Sequence, residues 1–153
     1  MKLEKDSREF IESLNSRRVE YLIVGAHALA FHGHPRLTVD LDFLVRPTEA
    51  NVERLLEALA DFGFAVDSGE RATFMRPGMV AQLGRAPNRI DLLTSISGVT
   101  FDEAWESSVA ASLDGLPVRF LGREALLRNK RATGRSKDLA DAETIEKRPP
   151  RKT

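Results

Sequence analysis

The run Leu37-Thr38-Val39-Asp40-Leu41-Asp42-Phe43-Leu44-Val45 alternates in a way that few folds can accept. Its odd positions are all apolar and its even positions read Thr, Asp, Asp, Leu, so the period-2 geometry of a strand sends both aspartates to one face, ~7 Å apart. Two such carboxylates repel each other and are costly to bury, and a divalent cation bound between them would cancel the penalty. The alternative is the solvated face of an edge strand, where carboxylates merely suppress aggregation. The apolar density around the pair favours a central strand instead.

A third carboxylate has the same setting. In Asn88-Arg89-Ile90-Asp91-Leu92-Leu93-Thr94, Ile90 and Leu92 face one way and Asp91 the other. If this strand lies beside the first, Asp40, Asp42 and Asp91 converge on one edge, the arrangement two divalent ions need to clamp a phosphoryl group during in-line displacement. A hard oxygen donor set in a chain without cysteine favours magnesium or manganese over zinc. The same absence excludes disulfides and thiolate nucleophiles.

With 153 residues, 42% of them hydrophobic, and no long apolar run, the chain is expected to be a single domain over residues 1–147 with one core and no membrane span. Residues 148–153 are expected to form a flexible basic tail. The N-terminus lacks the apolar stretch of a signal peptide, so a cytoplasmic location is the default. Charges balance at 23 against 23. No global field therefore attracts nucleic acid, and binding through the locally basic segments Arg128 to Lys137 and Lys147 to Lys152 is the weakest reading.

The elements follow from periodicity. Phe10, Ile11 and Leu14 predict an opening helix, Val19 to Val24 a buried strand, and Ala26 to Phe31 a short helix stopped by Gly33 and Pro35. Thr48 can cap a long helix carrying the stripe Val52, Leu55, Leu56, Leu59 and ending at Gly63. Short strands are expected at Phe64 to Val66, Thr73 to Met75, Met79 to Leu83 and Arg89 to Thr94. A helix over Phe101 to Ala111, a strand over Pro117 to Leu121, a helix over Arg123 to Ala132 and a last helix from Ser136 complete the chain. The expected class is α/β (α+β), a mixed central sheet flanked by helices.

Gly25 ends a strand and opens a helix, so the free N–H groups there could receive phosphate with the backbone close. It could equally be only a turn. Arg36 could pair with a carboxylate or reach a triphosphate. Lys130, Arg135 and Lys137, grouped around Gly134, could neutralise phosphate or could simply complement a helix C-terminus. His27, His32 and His34 have poor spacing for zinc and read as packing, turn or substrate-contact residues. Asp138 and Asp141 are expected to pair with nearby Arg or Lys, and Trp105 to anchor a core or interface.

The turn Gly25-Ala26, then Asp40-Leu41-Asp42, then Asp91 on a later strand resembles the nucleotidyltransferase superfamily of the DNA polymerase beta type. The segments Val24-Gly25-Ala26-His27-Ala28, Phe31-His32-Gly33-His34-Pro35-Arg36, Pro87 to Thr94 and Asn129-Lys130-Arg131-Ala132-Thr133-Gly134-Arg135 are similar to those of small bacterial nucleotidyltransferase-like proteins, among them relatives of toxin–antitoxin and abortive-infection nucleotidyltransferases. This resemblance implies the nucleotidyltransferase fold and transfer of a nucleoside monophosphate from a nucleoside triphosphate to an acceptor hydroxyl. Asp40, Asp42 and Asp91 would ligate Mg2+ or Mn2+, and Asp91 would also help deprotonate the acceptor. Gly25, Ala26, Arg36, Lys130, Arg135 and Lys137 would face nucleotide and phosphate. The acceptor, whether small molecule, tRNA or protein, is not named by the motif, and a protein partner or homodimer could complete the cleft. Ala26 stands where the family turn carries Gly or Ser. Together with the lack of a recognisable acceptor domain, it motivates the alternative of a catalytically weak or inactive nucleotide-binding or partner-binding module, such as a toxin–antitoxin component.

Overall fold

The computed structural model of the chain describes residues 2–34, 40–64, 68–84 and 89–148. Among them, six strands form one mixed sheet in the order β3-β4-β2-β1-β6-β5. The elements run α1 (Lys5–Ser16), β1 (Tyr21–Val24), α2 (Gly25–Phe31), β2 (Leu41–Val45), α3 (Glu49–Phe62), α4 (Ser68–Met75), β3 (Val80–Leu83), β4 (Ile90–Leu93), α5 (Phe101–Glu106), β5 (Val109–Leu113), β6 (Leu116–Phe120), α6 (Arg123–Thr133) and α7 (Ser136–Glu146).

The sheet's centre is its most buried part. β1 pairs antiparallel with β2 and parallel with β6, and β2 pairs parallel with β4. Register then sorts the side chains: Ile23 lies opposite Phe43 and Phe43 opposite Leu92 on one face, while Val24, Asp42 and Asp91 line up on the other. The first face is apolar and covered by α1, with Phe10 edge-on to Phe43 at 5.4 Å and to Phe62 of α3 at 5.3 Å. Each fully buried side chain of this kind contributes ~1.5–3 kcal/mol relative to exposure.

The strand ends away from the aspartates are pinned by Asn51, fully buried at the start of α3. Its Oδ1 accepts from the Glu20 N–H at 2.7 Å, and its Nδ2 donates to the Glu20 and Arg46 carbonyls at 3.0 Å each. That satisfies the backbone groups where β1 begins and β2 ends, and holds the register that aligns the opposite ends.

Several expectations are corrected. Thr73, Phe74 and Met75 end α4 rather than forming a strand; Phe74 is buried, and the Thr73 hydroxyl donates to the Gly69 carbonyl at 3.2 Å, the back-bond that lets a β-branched residue sit in a helix. The helix expected over Phe101 to Ala111 stops at Glu106, and Val109–Leu113 is instead the outer strand of a hairpin with β6. The reason is the two-residue turn Asp114-Gly115, both residues at positive φ, which folds one strand back on the next. The helix that remains is held by a capping box between Thr100 and Glu103. Thr48 occupies the N-cap of α3 but makes no side-chain capping bond. Phe64 is loop; Ala65 and Val66, Arg36, the first residues of the carboxylate run (Leu37 to Val39) and the tail from residue 149 lie outside the described residues.

Candidate functional site

Asp42 and Asp91 are opposite one another on adjacent parallel strands, and Val24, the residue before Gly25, is opposite Asp42 on its other side. Neighbouring strands lie ~4.8 Å apart, so the two carboxylates share one face at contact distance. Asp40 immediately precedes β2 and falls two residues from Asp42, on the same face by alternation. The turn at Gly25 is shaped by this pair. Gly25 has φ +68°, and a Cβ placed on it would lie 2.2 Å from Asp42 Oδ2. Glycine is therefore required twice, by backbone conformation and by the approach of the Asp42 carboxylate.

The electrostatics of the cluster are strained. Burial first, then the charge and hydrogen bond of Asp91 and the charge of Asp40, raise the Asp42 pKa to about 6, with Arg89 opposing. Asp42 thus keeps its proton to a higher pH than an ordinary carboxyl does. Arg89, two residues before Asp91, turns its guanidinium into the cluster: Nη2 donates to Asp40 Oδ2 at 2.7 Å and to Asp91 Oδ2 at 3.3 Å. Its Nε lies 3.1 Å from Asp91 Oδ1, yet both atoms are buried without a hydrogen-bond partner, so this contact is coulombic rather than directional. His27 closes the Asp40 side. Burial lowers its pKa, offset in part by a hydrogen bond to the Asp40 backbone and by the Asp40 charge.

Among the described residues no three His, Asp or Glu side chains are gathered into a ready-made metal cluster. The donor chemistry nevertheless fits magnesium or manganese. Asp42 and Asp91 present paired hard oxygen donors, Asp91 Oδ1 is buried without a hydrogen bond, and burial beside like charge makes the ionised Asp42 costly, a cost that a cation between the two would relieve. Asp40, the third hard oxygen donor on this face, is engaged by Arg89.

Gly25 and Asp42 floor a cleft of about 460 Å³ that also includes Val24 and Leu93. One wall is the segment after β4, with Ser95 and Ser97, where the Ser95 hydroxyl accepts from the Gly78 N–H at 2.7 Å. The other wall is the end of α6 and the start of α7, with Asn129, Lys130, Thr133, Arg135 and Asp138. Asn129 Nδ2 donates to the Ser97 carbonyl at 3.0 Å, tying the walls together. Lys130 is held, not loose: its ammonium lies 3.1 Å from Asp138 and 3.3 Å from Asp141, with only 13% of the side chain exposed. Burial would raise the Asp138 pKa, but the Thr133 hydroxyl, at 2.7 Å, and the Lys130 and Arg135 charges outweigh it and hold that carboxyl below its ordinary value.

Of the residues singled out in the sequence, Asp40, Asp42, Asp91 and Gly25 come together, and Lys130 and Arg135 line the adjoining cleft. Ala26 and Lys137 are not among its lining residues, and Arg36 is outside the described set. Asp138 and Asp141 pair with Lys130 as expected. The three histidines go separate ways: His27 to the Asp40 backbone, His32 to the Leu121 carbonyl at 2.7 Å, and His34 toward Asp141 at 3.8 Å. Trp105 stacks on Phe101 beneath the Arg119 guanidinium. Arg89 is the residue that sequence reasoning passed over. The alternation that sets Asp40 beside Asp42 also sets Arg89 beside Asp91, and that was the available signal.

A mixed sheet of this order, with aspartates on neighbouring strands beside a strand-glycine-helix turn, defines a nucleotidyltransferase-like protein. The crystal structure of a Thermotoga maritima protein, TM1012, titled a "putative nucleotidyltransferase", matches it with a TM-score of 0.56, covering 92% of this chain and 88% of that one at 15% identity, a likeness of fold. The chain belongs to the family described as "Nucleotidyl transferase of unknown function (DUF2204)", whose model matches residues 3–152. No curated protein matches it. No helix among the described residues is long and apolar enough to cross a membrane.

Proposed function

We propose that this protein transfers a nucleoside monophosphate from a nucleoside triphosphate to an acceptor hydroxyl, in a reaction that depends on magnesium or manganese. The observation that carries this reading is the Asp42–Asp91 pair, in register across two strands, with Asp42 pressed against Gly25 at the floor of a polar cleft. A divalent ion held by Asp42 and Asp91, and by Asp40 once free of Arg89, would neutralise the triphosphate and favour departure of pyrophosphate.

The chain's own residues do the rest. Gly25 leaves room for Asp42 at the cleft floor. Ser95, Ser97, Asn129 and Thr133 offer hydroxyl, carbonyl and amide groups along the walls to a nucleoside, and Arg135, 78% exposed and 3.4 Å from Asp138, supplies a positive charge at the rim for phosphate oxygens. Lys130, neutralised by Asp138 and Asp141, acts mainly by fixing the α6–α7 wall. The acceptor oxygen forms a bond to the α-phosphorus as the bond to pyrophosphate breaks, and its proton passes to the Asp91 carboxylate.

A second reading, a nucleotide-binding or partner-binding module with little turnover, is favoured by the Arg89 bridge and by Ala26 in the turn. Incubating the protein with manganese and each labelled nucleoside triphosphate in cell extract, beside Asp42→Asn, separates the two. Label transferred by the native chain and not by Asp42→Asn supports transfer. Metal-dependent nucleotide binding without a labelled product supports the nucleotide-binding module, and no binding of any of the four nucleotides defeats transfer and leaves only a partner-binding module.

A further inference from the structure

We infer that Arg89 is a built-in cation that occupies Asp40 and Asp91 in the metal-free protein and is displaced from them when a divalent cation binds. The inference rests on the metal-dependent reading above and goes beyond it, because it assigns the site a resting state. Three carboxylates on one face cannot all stay ionised without positive charge nearby, and Arg89 brings that charge. Its backbone carbonyl accepts from the Leu41 N–H at 3.1 Å, so its Cα is fixed beside β2. The side chain is 33% exposed and therefore has solvent into which it can swing.

The quality of its contacts is uneven, and that unevenness carries the argument. The bond to Asp40 is short and aligned at 2.7 Å, whereas the approach to Asp91 is a longer bond at 3.3 Å plus an unaligned contact at 3.1 Å that leaves Nε and Oδ1 buried without hydrogen bonds. A permanent structural ion pair would be expected to satisfy those atoms. A guanidinium standing in for a doubly charged ion need not, since it serves as charge rather than as ligand. Binding of a divalent cation then releases Asp40, and the freed guanidinium lies at the edge of the site.

The test is titration of the full chain with Mn2+ by calorimetry at low ionic strength, without nucleotide. Relative to wild type, Arg89→Gln is expected to bind Mn2+ about ten-fold or more tightly, with Arg89→Lys between them because an ammonium cannot bridge two carboxylates as a fork does. Equal or weaker binding by Arg89→Gln, while Asp42→Asn abolishes binding, overturns the inference and leaves the metal site standing. No Mn2+ binding by any of these proteins overturns both. Wild-type protein supplies a measurement independent of how the variants fold: the Arg89 Nε–H resonance, assigned by correlation along its own side chain to the backbone, is expected to shift and exchange faster with water as Mg2+ is added. A resonance unmoved at saturating Mg2+ overturns displacement.

Discussion

Asp42 shows how a single side chain records the cost of a site. Its pKa rises from an ordinary 3.8 to about 6, so between those values the folded protein holds more protons than the unfolded chain, and stability falls as pH rises through that window. The penalty is fully present above pH ~6 and absent below pH ~4; allowing for partial exposure it is about 1–2 kcal/mol. In the presence of a chelator, Asp42→Asn is therefore expected to melt higher than wild type at pH 7.5, with the gain vanishing by pH 4, which thermal denaturation across that range measures. Gly25 is the complementary case. Gly25→Ala forces a Cβ to within 2.2 Å of Asp42 Oδ2 at φ +68°, so it is expected to cost ~1–2 kcal/mol in stability and to weaken Mn2+ binding about ten-fold, read by melting and calorimetry. The need for glycine at residue 25 is visible in the sequence as a strand-to-helix break, but its second cause, the carboxylate 17 positions later, is not.

At the scale of elements, α6 and α7 are joined by charge as well as by apolar contact. Lys130 sits between Asp138 and Asp141 in a nearly buried setting, so Lys130→Met leaves two carboxylates without their ammonium and is expected to lower stability by ~3 kcal/mol in urea denaturation. Arg17→Ala, which removes exposed pairs with Glu57 and Asp61, should leave the urea midpoint nearly unchanged in the same experiment. Elements with a strong period, α1, α3 and the central strands, were legible from the chain. Those decided by few residues were not: α4 was hidden by the strand-like triplet Thr73-Phe74-Met75, and the β5–β6 hairpin by a periodicity that continued past Glu106, although Asp114-Gly115 between two short runs was the turn signal that mattered.

For the whole molecule, the resting site is a balance in which carboxylate repulsion is met by the Arg89 guanidinium and, below a pH of about 6, by a proton on Asp42. Mn2+ is accordingly expected to raise the melting temperature in a concentration-dependent manner, and Asp42→Asn to abolish that rise; a melting temperature indifferent to Mn2+ argues against the metal site. The sequence by itself determined the local facts: which residues alternate, that Asp40, Asp42 and Asp91 stand on the polar faces of apolar strands, that Gly25 breaks a strand into a helix, and that no cysteine offers a softer ligand. Only the tertiary structure decided that Asp42 lies opposite Asp91, that Gly25 is pressed against Asp42, that Lys130 is held by two aspartates, and that Arg89 reaches Asp40 across the sheet. The physical reason is range: alternation and turn chemistry act over a few residues, whereas register, close approach and charge pairing arise between segments 8 to 49 positions apart, which meet only after the strands have paired and α6 has packed on α7.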